Sequence, residues 1–182
     1  MMMAVGTSRL RNALSSDEAL MADALLGGGL PVEAESEIKQ AGLAYHDDLV
    51  AEGHLRRAAE LAPGHPAVLI SFYRYYFYKN RLREALAVAK DCLAIATAQN
   101  NLPANWRDVR PGSAVFDRYE EVLPRFFLFT LKGYAYLNMR LGQTEEGVAA
   151  ARKLLDLDPS DKIGARVLLD VAARAEQDDD DD

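Results

Sequence analysis

Residues Leu141 to Asp161 read LGQTEEGVAAARKLLDLDPSD, and residues Leu49 to Pro66 read LVAEGHLRRAAELAPGHP. Both are runs of helix-forming residues with apolar side chains at helical spacing, and both run into a proline, which cannot continue a helix. Two such segments in one chain demand a test for self-similarity, because a period in the thirties decides a repeat architecture.

The second segment resembles the closing half of a tetratricopeptide repeat. The resemblance puts Gly142 in the turn between two helices, small Gly147 and Ala151 where the paired helices approach closely, and Leu154, Leu155, Asp158 and Pro159 at the end. Counting back from Pro159 by that family's period of about 34 residues starts the repeat at Leu128. Leu131, Tyr134 and Ala135 then share the inward face of its first helix. The same frame applied to Pro63 gives a repeat over Val32 to His65, and the next, Pro66 to Gln99, follows without a gap. In that middle repeat Leu69, Phe72, Tyr73 and Tyr76 fall on the core positions of the first helix, and Ala85, Ala89 and Cys92 on the small-residue positions of the second. Asn80 replaces the turn glycine, and Thr97 stands where the closing proline is expected. The first repeat departs further, with Glu35, Gly42 and His46 at its aromatic and turn positions, and reads as a divergent or capping unit. Lys162 to Gln177 carries Ile163, Val167, Leu168 and Val171 on one side, which suits a helix covering the open face of the last repeat.

The expected fold is therefore all-α, a tetratricopeptide-type helical solenoid of about three helix pairs plus capping helices, with no sheet. The expected domain spans residues 32–177. Each pair has an apolar face that it cannot bury alone, so stacking builds the core and leaves a concave groove lined by the first helices. Residues 100–127 break the period. Asn100, Asn101, Pro103, Asn105, Pro111 and Gly112 supply turn chemistry, but Trp106, Val109, Val115, Phe116, Tyr119 and Leu123 are too apolar for a free linker. The segment reads as an ordered excursion that packs back, with a short helix capped by Ser113 running to Leu123 and Pro124 in the first turn of the next helix. Trp106 either anchors this loop on the repeats, the favoured role, or contacts a partner. Residues 1–31 read as a tail and a short docking helix over Ser16 to Leu26. Residues 178–182 read as an acidic disordered tail.

The 182 residues are 49% hydrophobic and carry a formal charge of -7. Five of those charges are Asp178 to Asp182, so -7 less -5 leaves -2 for the rest of the chain. A net acidic chain without a basic stripe argues against nucleic-acid binding. No stretch approaches the roughly 18 unbroken apolar residues of a membrane span. No apolar region follows Arg9 and Arg11, so a secretory signal is not expected and a cytoplasmic location is. Cys92 is the only cysteine, which leaves no internal disulfide, and three scattered histidines complete no set of metal ligands.

Catalysis finds little support. No glycine-rich phosphate loop follows a strand, Gly27 to Gly29 suits a helix end, and His46, His54 and His65 fall in turns or on a solvated helix face. Neither a catalytic residue nor a cofactor is expected. A protein-binding surface is more legible. In the run FYRYYFYK, Phe72 to Lys79, the frame turns Arg74, Phe77 and Tyr78 toward the groove, and it does the same for Phe129, Lys132, Tyr136, Met139 and Arg140 of the third repeat. Aromatic residues and arginine supply interface hot spots, so Arg74, Phe77, Tyr78, Trp106, Phe129, Lys132, Tyr136 and Arg140 are the candidate partner contacts. Several of them serve equally well to close the stack against the excursion. Some family members clamp a partner's terminal carboxylate with Lys, Arg and Asn from successive first helices, and that set is incomplete here.

The segments AYHDD (Ala44 to Asp48), LAPGHPAVLISFYRYYFYK (Leu61 to Lys79) and LPRFFLFTLKGYAYL (Leu123 to Leu137), with the Asp-rich end, resemble short bacterial tetratricopeptide proteins associated with nitrogen-fixation genes, of the nitrogenase-associated factor T kind. That resemblance implies a partner among nitrogenase components or their assembly machinery. The expected function is a binding module, an assembly, chaperone-like or protective factor; a self-associating structural scaffold is the alternative.

Overall fold

The computed structural model describes residues 29–118 and 120–180, with the backbone alone over 175–180. The docking helix expected over Ser16 to Leu26 lies outside the described residues. Among these residues there are seven α-helices and no strand: α1 (Val32–Leu43), α2 (Asp48–Leu61), α3 (Pro66–Tyr78), α4 (Leu82–Gln99), α5 (Val122–Arg140), α6 (Thr144–Leu157) and α7 (Arg166–Asp180). A single 3-10 turn, Trp106–Asp108, interrupts the excursion.

The local chemistry sets the starts of these helices. Asp47 accepts hydrogen bonds from the Leu49 and Val50 amides and caps α2. Pro66 occupies the first turn of α3, where its missing N–H costs nothing, and the His65 ring accepts from the Ala67 amide. The second helices of the three frames begin at Asp48, Leu82 and Thr144, each sixteen residues after its frame start at Val32, Pro66 and Leu128. The turns ahead of α4 and α6 reuse one backbone: Asn80 at φ 57° and Gly142 at φ 81° both take the left-handed conformation. Asparagine tolerates that region better than other residues with a Cβ, which is why Asn80 replaces the glycine without changing the turn.

Helices pair with their chain neighbours, α1 on α2, α3 on α4 and α5 on α6. Small residues allow the pairing. Ala51, Ala85 and Gly147 occupy one frame position, and all three are buried. A Cβ on Gly147 would stand 2.7 Å from the Ala135 carbonyl oxygen and 2.4 Å from the Met139 Cγ, so α5 and α6 approach more closely than any larger residue permits. α4 also packs along α5, whereas α2 meets α3 sparsely. One large apolar cluster runs from α3 to α7 and includes Phe126, Phe127, Leu131, Leu137 and Leu154; two small clusters hold α1 and α2 against α3. Cys92 is buried in the large cluster, among Ile70, Tyr73, Ala89 and Gly133. Cys92→Ala removes one small apolar atom, so a thermal melt should show a loss well below the about 2 to 5 kcal/mol of a buried Leu→Ala, with partner capture retained.

The structure corrects three sequence boundaries. Among the described residues between Ser113 and Glu121 no helix forms; α5 starts at Val122, so Pro124 lies in its first turn as expected. The last helix begins at Arg166, not Lys162, because Asp161 at φ 54° accepts from the Ala165 and Arg166 amides and starts it there. Its backbone continues to Asp180, into the acidic run, rather than stopping at Gln177. Over residues 166–174 α7 buries Leu168 and Ala172, while Val167 and Val171 are exposed.

Candidate functional site

The excursion is held flat against the third helix pair. Trp106 is buried, with its ring 6.3 Å from Tyr134 and the Arg107 guanidinium 4.2 Å above it. Val109 and Phe116 are buried as well, and Phe116 packs on Phe127. Lys153 donates to the Val109 carbonyl at 3.0 Å, Lys162 to the Asp117 carbonyl, and Arg107 pairs with Glu146. Glu146 also accepts from the Tyr134 hydroxyl, and burial followed by that hydrogen bond pushes the Tyr134 pKa up to about 12. Trp106 therefore serves as an anchor, not as an exposed contact.

The other expected partner contacts divide. Lys132 is 3% exposed and donates to the Ile163 carbonyl, because the chain leading into α7 crosses that face of α5. Phe129 is buried beside Ile70 and Tyr73. Phe77 and Tyr136 are buried against each other, ring centroids 5.7 Å apart, where the first helices of adjacent pairs meet. These four residues close the stack. Arg74, Tyr78 and Arg140 remain on the surface, Arg74 half-buried and the other two exposed. They are linked through the buried rings: Tyr78 meets Phe77 edge-on at 5.6 Å, and Arg140 donates to the Tyr136 hydroxyl at 2.7 Å.

A pocket of about 250 Å³ opens between α1 and α3, lined by Ile38, Ala41, Tyr45, Leu55, Arg74 and Tyr78, with Gly42, Ser71 and Tyr75. Its rim is fixed by charge. Asp48 accepts from the Tyr75 hydroxyl at 2.7 Å and pairs with Lys79 at 2.8 Å, and the Lys79 ammonium lies 4.3 Å above the Tyr45 ring. The hydrogen bonds from Lys79 and then Tyr75 hold the Asp48 carboxyl below its ordinary range, while burial and the Asp48 carboxylate push the Tyr75 hydroxyl up. Arg81 joins α4 to Glu52 of α2 and to Glu84. The aromatic walls of the pocket are thus tied to three helices before anything binds.

Sequence reasoning missed Ile38, Tyr45, Leu55 and Tyr75 as pocket residues. The signal was in AYHDD, where Tyr45 and Asp48 stand three apart across a turn, but only the fold brings them to Tyr75. Among the described residues, no group of three or more His, Cys, Asp and Glu side chains is placed to hold a metal ion, and no helix is long and apolar enough to cross a membrane.

The chain is similar to the uncharacterized 19.8 kDa protein in the nifW 5′ region of Azotobacter chroococcum mcd 1, with 40% identity over 124 residues that cover 68% of this chain and 70% of that protein. No family model and no solved structure matches it.

Proposed function

Since the chain belongs to the family of the 19.8 kDa protein from the nifW 5′ region of Azotobacter chroococcum, we propose that it is a non-catalytic binding protein of nitrogen fixation. In this reading it is a tetratricopeptide-type assembly, chaperone-like or protective factor whose partner is a nitrogenase component or part of its assembly machinery. Three features support the repeat type: the common start of the second helices, the shared left-handed turn at Asn80 and Gly142, and the small residues at one frame position.

The observation that carries the function is the tyrosine-walled pocket between α1 and α3. It is preformed, it is open, and it places Arg74 and Tyr78 where a partner can reach them. Arg140 extends the same surface along the Phe77–Tyr136 contact. Tyrosine and arginine in such positions bury large area behind a polar or charged tip.

The test is a pull-down of purified nitrogenase components and their assembly proteins. Arg74→Glu combined with Tyr78→Ala should weaken capture by about tenfold or more. Stability should fall by no more than about 1 to 2 kcal/mol, because Tyr78 is exposed and Arg74, though half-buried, pairs with no acid among the described residues. Normal melting with capture at wild-type strength would remove the concave face from the function. The mass of the isolated protein in solution distinguishes this reading from a self-associating scaffold, which would fill its own groove.

A further inference from the structure

Resting on the concave face as a partner surface, we infer that the α1–α3 pocket takes an internal acidic residue of a partner protein, Asp or Glu, together with a bulky apolar or aromatic residue beside it. Among the described residues the pocket offers one charge, Arg74, within walls of Ile38, Ala41, Leu55 and three tyrosines, and no carboxylate lines it. The basic residues of the turn between α3 and α4 are already paired, Lys79 with Asp48 and Arg81 with Glu52 and Glu84. Arg74 pairs with no acid among the described residues. A half-buried guanidinium with apolar neighbours gains most from a carboxylate that meets its fork in two parallel hydrogen bonds.

The other occupants fit less well. At about 250 Å³ the pocket is smaller than the roughly 300–1,000 Å³ clefts that enclose drug-sized ligands, so it suits one or two side chains rather than a cofactor. A nucleic acid needs several phosphate contacts, and the pocket supplies a single cation on a chain of net charge -7. A terminal carboxylate held by several cationic donors is also unsuited. The Tyr75 hydroxyl is committed to Asp48 and the Ser71 hydroxyl to the Ala67 carbonyl, which leaves Arg74 and the exposed Tyr78 to do the holding. The apolar walls then select the neighbour of the acid at short range, since the chain apart from Asp178 to Asp182 carries only -2 and gives no long-range attraction for an acidic segment.

The probe is a random twelve-residue peptide library displayed on phage and panned against the full chain. Wild-type protein should enrich peptides with Asp or Glu next to Leu, Phe, Tyr or Trp. A synthetic copy of a selected peptide should lose about tenfold or more in affinity when its acid is changed to the amide, and a similar amount when Arg74→Gln is made in the protein. In a double-mutant cycle the two losses should not add, because both remove one contact. The amide peptide keeps the test valid even if the protein variant folds poorly. Enrichment of peptides without acids, no enrichment, or additive losses would overturn the inference. Its failure is separable from that of the proposed function: nitrogenase proteins captured through the excursion with no peptide selected would sink only the pocket chemistry. Peptides selected with no nitrogen-fixation protein captured would sink only the biological reading.

Discussion

Lys132→Glu should destabilise the protein by about 3 to 5 kcal/mol, the usual cost of an uncompensated charge in a protein interior. The sequence frame had turned Lys132 toward a partner, where a charge reversal is harmless to the fold. In the structure its side chain is buried and its ammonium donates to the Ile163 carbonyl, close to Gly164, whose hypothetical Cβ would lie 3.7 Å from Nζ. A carboxylate at that site would face a carbonyl oxygen and could donate nothing to it. For a chain of this size the loss lowers the melting temperature by roughly 6 to 20 °C. Lys132→Met keeps the length and removes the charge, so it should cost clearly less than the glutamate. Calorimetry on both variants decides the point: equal melting of the glutamate variant and wild type would mean that Lys132 is not held inside.

The second large effect is at the neighbouring residue. Leu131 is completely buried in the large cluster with Phe126, Phe127 and Leu137. Leu131→Ala should cost about 2 to 5 kcal/mol, the lost transfer energy plus the cavity left in a core that cannot collapse around it. Denaturant unfolding should show a lower midpoint with an unchanged slope. Phe72→Ala, which the sequence frame ranked alongside it, should cost less, because Phe72 is only half-buried. Should the two variants prove equally stable, the large cluster would not be where folding energy concentrates.

The contrast between Leu131 and Lys132 shows what a period can and cannot tell. A spacing of three and four fixes the side of a helix on which a residue lies, and so the starts of the second helices, the paired small residues and the core role of Leu131 were readable. It does not say what else covers that side. Lys132, Phe129, Phe77 and Tyr136 were expected to line a groove, yet the chain leading into α7 and the contact of α3 with α5 bury them. Both are long-range events without a local signature. Arg74 stays half-buried and Tyr78 and Arg140 exposed, because no described segment crosses them. In the first repeat, Glu35 and Gly42 broke the expected aromatic pattern and drew attention away from Tyr45, which reaches the pocket from the turn beyond α1. The excursion's anchoring was legible from its apolar content. The absence of a helix after Ser113 was not, since its hydroxyl accepts from the Arg110 amide behind it rather than capping a turn ahead.

The sparse junction between α2 and α3 divides the molecule into regions of unequal resistance. α1 and α2 are retained by two small clusters and by side-chain ties such as Asp48 to Lys79 and Glu52 to Arg81, while everything from α3 onward shares one continuous interior. Spontaneous opening should start in the first unit, with amide protons in α1 and α2 exchanging at a lower free energy than those of α5. The tyrosine-walled pocket straddles that seam. Whatever occupies it cross-braces the weakest joint, and its binding registers as slowed exchange across two helices that it touches only at their edge.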